Sequence, residues 1–258
     1  MDAWRTGCVV ALVLLLIISV SEQSIAQVSL HDENVSEKVI NPIAFLMRFT
    51  AKNKYSPSLW NSRGEENEVE GELVVPFRAF AKQNLARIKI LFETSSPDGT
   101  HGLSEPQILD LVLFPRSWGT FGAGVTARLS AQTSDRLGTV APGPAVGLVV
   151  EHGKWRFGFL NQSFLSDTFA QTELEPILAY AFNRKWSAEI GDAEYTYDWK
   201  KDRVTSIPLS GQLNHVLSRK SEDIHLFFGA QYNLKQASGS NMWTLTAGVS
   251  LIPKQQEQ

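Results

Sequence analysis

Glu70 and Glu72 stand at alternate positions, and so do Arg87 and Lys89 further along the chain. A spacing of two puts each pair on one face of an extended chain. On neighbouring strands the two acids and two bases can pair across the ladder. Around water, the same four create a transverse field that sorts polar and dipolar solutes. Asp110, Arg128, Arg156, Glu173, Glu175 and Glu189 are read on the same polar parity of further segments. These ten residues form the candidate lumen and constriction set. The bland alternative is a salt-bridged interior that fills a narrow barrel and conducts nothing.

Other residue types that could do chemistry fall short of it. Asn214, His215 and Ser218 cluster as a hydrolase triad requires, but at a chain reversal where an outer-leaflet substrate is absent. The run Gly122-Ala123-Gly124-Val125-Thr126-Ala127 has the glycine spacing of a dinucleotide loop. Such a loop needs a strand before it and a helix after it, whereas this run lies inside a strand. The five histidines have no metal-ligand spacing. The expectation is a non-enzymatic protein with no cofactor and no metal.

The elements that position the charges alternate with period two. In 242–251, Trp243, Leu245, Ala247, Val249 and Leu251 are apolar, while Thr244, Thr246, Gly248 and Ser250 are small or polar. Similar segments recur along the chain, with the length and alternation of membrane-spanning strands. Short joints lie near 82–84, 115–117, 152–154, 183–185 and 218–223. Longer ones cover 53–67, 94–105, 133–142, 162–171, 200–206 and 236–241. Six long loops and five short turns require twelve strands, with both chain ends on the short-turn side. Trp118, Trp155 and Trp186 open strands beside short turns, and Tyr197, Trp199 and Trp243 lie at the other ends. Such rings favour the membrane interface. In the segment around 186–199 the apolar parity switches, which predicts a bulge near Gly191-Asp192.

Arg5, the apolar run 8–18 and Ser24-Ile25-Ala26 read as a secretory signal cleaved before Gln27. Cys8 is the only cysteine, so the exported chain has no disulfide. The net charge of -3 implies no polyanionic partner, hence no nucleic acid. The predicted fold is an all-β, single antiparallel transmembrane β-barrel of about 12 strands in the bacterial outer membrane. Its expected divisions are a signal peptide over 1–26, a periplasmic N-terminal segment over 27–42, the barrel over 43–254 and a tail over 255–258. The expected partners are outer-membrane lipid, the barrel-assembly machinery and a small solute.

Short motifs across nearly the whole exported chain resemble a known family. They are Asn41-Pro42-Ile43-Ala44, Val75-Pro76-Phe77, Gly143-Pro144, Gly153-Lys154-Trp155, Glu175-Pro176, Ala179-Tyr180, Tyr195-Thr196-Tyr197-Asp198-Trp199 and Ile207-Pro208-Leu209. With them the chain resembles the bacterial outer-membrane proteins grouped as "MetA-pathway of phenol degradation", a transporter family. The family's Gly-Leu-Gly-Asp is here Gly102-Leu103-Ser104-Glu105, and its aromatic-Pro-Lys ending is Ile252-Pro253-Lys254. The resemblance implies an outer-membrane barrel acting as a passive channel or transporter for small solutes, with aromatic or other organic compounds among them. A non-conducting structural or adhesive barrel is the alternative, and a membrane-lipid hydrolase a further one.

Overall fold

The computed structural model describes residues 35–97, 99, 101–129, 139–167, 169–191, 193–235 and 240–254. The expected signal peptide over 1–26, residues 27–34 and the expected tail over 255–258 lie outside them. A short helix, α1 (Val35–Val39), precedes the strands β1 (Arg48–Leu59), β2 (Glu66–Ala79), β3 (Lys82–Ser95), β4 (Gly102–Arg116), β5 (Gly119–Leu129), β6 (Val140–His152) and β7 (Trp155–Leu165). There follow β8 (Ala170–Ala181), β9 (Trp186–Glu189), β10 (Tyr195–Asp198), β11 (Arg203–Ser206), β12 (Pro208–Ser218), β13 (Glu222–Asn233) and β14 (Asn241–Pro253). Every pairing is antiparallel. β1 pairs with β14 through Phe49↔Leu251, and β9 bridges β8 and β12. The sheet therefore closes on itself as a barrel of 12 strands, with β9 and β10 forming one broken strand and β11 and β12 another.

Alternation decides which face each side chain occupies. Val125 is 62% exposed and its neighbour Thr126 is 2% exposed. Phe49, Phe92, Leu178, Leu213, Phe228 and Leu245 are likewise exposed, so the oily parity forms the outer surface, the kind that meets lipid. Trp118, Trp155 and Trp186 are exposed near the short turns, and Trp199 and Trp243 near the opposite rim. Tyr197 packs edge-on against Trp199, with centroids 4.7 Å apart.

The first short turn is Phe80-Ala81, just before the expected 82–84. Both residues adopt positive φ, 50° and 58°, the paired left-handed backbone of a tight hairpin. Several strands run on into ranges read as loops, so β1 and β2 contribute rungs up to Ser56↔Glu66. The expected parity switch is present: Trp186 and Ser187 lie on opposite faces, as do Tyr197 and Thr196. It is achieved by interrupting the strand between β9 and β10, within which Asp192 lies outside the described residues.

The in-strand prolines have a common explanation. Pro76 pairs with Leu85 but lies past the end of the β1–β2 ladder. Pro142 and Pro144 precede the first β6–β7 pair, Ala145↔Gln162. Pro176 and Pro208 border the β9/β10 interruption. Each stands where one neighbouring strand makes no rung, so the missing N–H costs no ladder bond.

The N-terminal segment is the main departure from expectation. Of the segment expected to be periplasmic over 27–42, residues 27–34 lie outside the described residues, while 36–46 pack inside the barrel and the first strand begins at Arg48 rather than 43. Ile43 is fully buried among Val74, Leu85, Leu109, Leu111, Leu113, Ala145, Val149, Leu160 and Ile177. Val39, Ile40 and Leu46 pack on Ala179, Val216 and Ile252. Part of the lumen beside the short turns is thus an aliphatic core around Ile43, with Arg156, Ser187 and Asp223 as polar buried positions at the same end.

Candidate functional site

Above this core the inward faces of β1, β2 and β3 carry interleaved charges. Lys52 Nζ lies 3.0 Å from Glu70 Oε1, and Lys54 Nζ lies 2.9 Å from Glu70 Oε2. Lys89 approaches the same carboxylate at 3.7 Å. Arg48 binds Glu72 at 2.9 Å, and Arg87 stands 3.9 Å from it. The register explains the grouping: Lys52↔Glu70 and Glu72↔Lys89 are direct rungs, with side chains on the same face.

Contacts from this group also cross the lumen. Lys89 Nζ reaches Glu194 Oε1 at 2.9 Å, and Arg87 Nη2 donates to Gln162 Oε1 at 3.2 Å. On the far wall Glu175 and Glu189 line the lumen with Gly191, Glu194 and Gln212. Between the walls lies a cavity of about 90 Å³, bounded by Val39, Ile40 and Pro42 of the N-terminal segment. Buried ion pairs offset desolvation only when their remaining hydrogen bonds are met. Here Glu70 and Glu72 are each flanked by bases from β1 and β3, which lets the charges remain at low exposure.

The remaining predicted residues divide three ways. Arg128 is bonded to Glu173 and to Gln171, and its guanidinium lies 4.1 Å from the Phe164 ring centroid. That pair sits inward but on another sector of the wall. Arg156 is inward near the short turns, where it binds Glu37 at 2.5 Å and Glu151 at 3.6 Å. It anchors the N-terminal segment rather than lining the constriction.

Asp110 requires a correction. Its neighbours Leu109 and Leu111 are the inward residues of β4, so Asp110 is exposed on the outer face between Ala86 and Val125. The aliphatic parity of β4 points into the core around Ile43, which inverts the rule that apolar means outward. Arg48, Lys52, Lys54, Glu68 and Glu194 were not in the predicted set. The alternation Thr50-Lys52-Lys54-Ser56 carries the signal for the β1 bases, hidden by reading 53–67 as loop. Glu194 follows from applying the parity switch before Tyr195.

The hydrolase cluster does not assemble. Asn214 is fully buried and inward, whereas His215 is outward and packs against Trp186 with centroids 4.2 Å apart. The glycine run has a packing role: a Cβ on Gly124 would stand 1.9 Å from the Asp110 carbonyl oxygen, so the close approach of β5 to β4 requires glycine. No group of three or more metal-ligating residues is found among the described residues.

No family model and no curated protein matches the chain. Among solved structures, the barrel is similar to an outer membrane channel from Pseudomonas putida F1. The TM-score is 0.57, with 12% identity over 88% of this chain and 100% of that one. Outer membrane phospholipase A from Escherichia coli aligns with a TM-score of 0.45 and 11% identity, over 81% of this chain and 92% of that one. The first likeness defines the fold as the antiparallel barrel of outer-membrane proteins; the second is too low to add to it.

Proposed function

We propose that this chain is a passive channel for small solutes in the bacterial outer membrane, entered as a secreted precursor and inserted by the barrel-assembly machinery. The observation that carries this reading is the cavity bounded by Lys52, Glu70, Arg87 and Lys89 on one wall and Glu175, Glu189 and Glu194 on the other. A filled structural barrel has no need of opposed charges around open space. Opposed charges favour polar and dipolar solutes. The solved channel of similar fold is consistent with this role. The resemblance to the phenol-degradation group adds aromatic and other organic compounds to the candidate solutes.

In this reading residues 36–46 are a movable stopper. Their polar contacts with the wall include Glu37 to Arg156, the Ser36 hydroxyl to the Asn183 carbonyl at 2.8 Å, and Arg48 to the Val39 carbonyl at 3.0 Å. No catalytic role is assigned, because Asn214 and His215 face opposite sides of the wall. Planar-bilayer recording tests the proposal. Small conductance steps that grow in Glu37→Ala support it, and silence of both folded proteins contradicts it.

A further inference from the structure

His225 on β13 is 4% exposed and lines the luminal cavity with Phe227, Gln212 and Ser250. Its Nε2 lies 2.9 Å from Asn214 Oδ1. The orientation of that amide is dictated by Glu189. Asn214 Nδ2 donates to Glu189 Oε1 at 2.9 Å, and Gln212 Nε2 donates to the same oxygen at 2.7 Å. Gln212 Nε2 also donates to Asn214 Oδ1 at 2.8 Å. A carboxylate only accepts, so Asn214 turns its nitrogen to Glu189 and its oxygen to the imidazole. Nε2 of His225 is therefore the donor. No acidic side chain bonds this ring among the described residues, and a buried imidazolium without a counter-ion is costly. The ring is neutral, which leaves Nδ1 a bare acceptor.

Nδ1 has no hydrogen-bond partner among the described residues. The ring is also held rigidly. It stacks on Phe227, with centroids 5.2 Å apart and planes 30° apart. Phe227 fills the space left by Gly248, where a Cβ would come 2.3 Å from the phenyl ring. Val216, the rung partner of His225, lies under Val39, Ile40 and Leu46. The N-terminal segment thus covers this part of the lumen.

We infer that His225 is a ligand-binding residue, whose Nδ1 accepts a hydrogen bond from the hydroxyl of an uncharged, compact organic solute with its apolar body against Phe227. The inference rests on the channel reading and names a solute class for it. Acceptor-only carbonyl compounds cannot satisfy Nδ1. Arg48 is the charged side chain that acts on this ring, which disfavours a cationic donor at Nδ1 itself.

Nitrogen NMR of protein carrying 15N-histidine, folded in micelles, tests this with 2-butanol and its acceptor-only counterpart 2-butanone as probes. His225→Gln removes the resonance and identifies it. Phe227→Leu, which deletes the stacked ring, identifies it independently. The expected result is an Nε2-protonated ring and a saturable Nδ1 shift with 2-butanol, larger in Glu37→Ala, with none from 2-butanone. An Nδ1-protonated or doubly protonated ring, equal response to both probes, or no response even in Glu37→Ala overturns the inference. A 2-butanol shift in a protein silent in bilayers would remove the channel reading and keep the site; a conducting protein without the shift would do the reverse.

Discussion

Lys89 Nζ and Glu194 Oε1 lie 2.9 Å apart although β4 to β8 separate their strands around the wall. The pair spans the lumen, so in the channel reading it constrains what passes more directly than the rungs within one wall. Removing either partner should widen the path and leave the other charge to set ion preference. Lys89→Met is expected to raise conductance and cation preference, and Glu194→Gln to raise conductance and shift preference toward anions. Reversal potentials across a salt gradient check both. Identical shifts in the two variants would refute the assignment.

The outer face makes a thermodynamic prediction. Val125→Arg puts a base into the lipid-facing surface at mid-strand and should cost about 2–4 kcal/mol in bilayer folding. Asp110→Leu removes a charge from the same surface, beside Val125, and should stabilise the barrel by up to about 1–2 kcal/mol. Urea titration of folding into vesicles measures both. Destabilisation by Asp110→Leu would mean that the carboxylate has a partner in the membrane.

Glycine packing separates two similar substitutions. Gly124→Ala meets the Asp110 carbonyl, whereas a Cβ on Gly71 has nothing within 4 Å. The first is expected to lose about 1–3 kcal/mol and the second little or nothing. Thermal loss of heat-modifiable gel mobility ranks the two.

Much of this was legible in the sequence because a barrel wall in lipid enforces period-two alternation. The closure, the count of strands and the grouping of Glu70, Glu72, Arg87 and Lys89 followed from parity and turns alone. Asp110 was misplaced because parity identifies two faces without saying which is wet. In β4 the inward residues Leu109, Leu111 and Leu113 are oily, since they surround Ile43 from the N-terminal segment. That long-range packing leaves no local pattern. The same tertiary contact hid the stopper, as Asn41-Pro42-Ile43 carries no strand alternation and reads as an extension.

The Glu37 link between residues 36–46 and the wall should be weak beside their apolar packing, yet matter for closure in the channel reading. Without Glu37 the buried Arg156 keeps Glu151 and the Gly153 and Trp155 carbonyls, so losing this one bond costs about 1 kcal/mol. Glu37→Ala is expected to leave the unfolding midpoint nearly unchanged while increasing the fraction of time that current flows. A large stability loss without added current would make the segment a fixed part of the core.

The central claim, that the charged lumen is a conduit closed by residues 36–46, is tested most directly by single-channel recording of the purified wild type beside Glu37→Ala. The account predicts brief, small conductance steps in the wild type and longer openings of the same or greater size in the variant. No current from either protein, with both shown to be folded by heat-modifiable mobility, would contradict it.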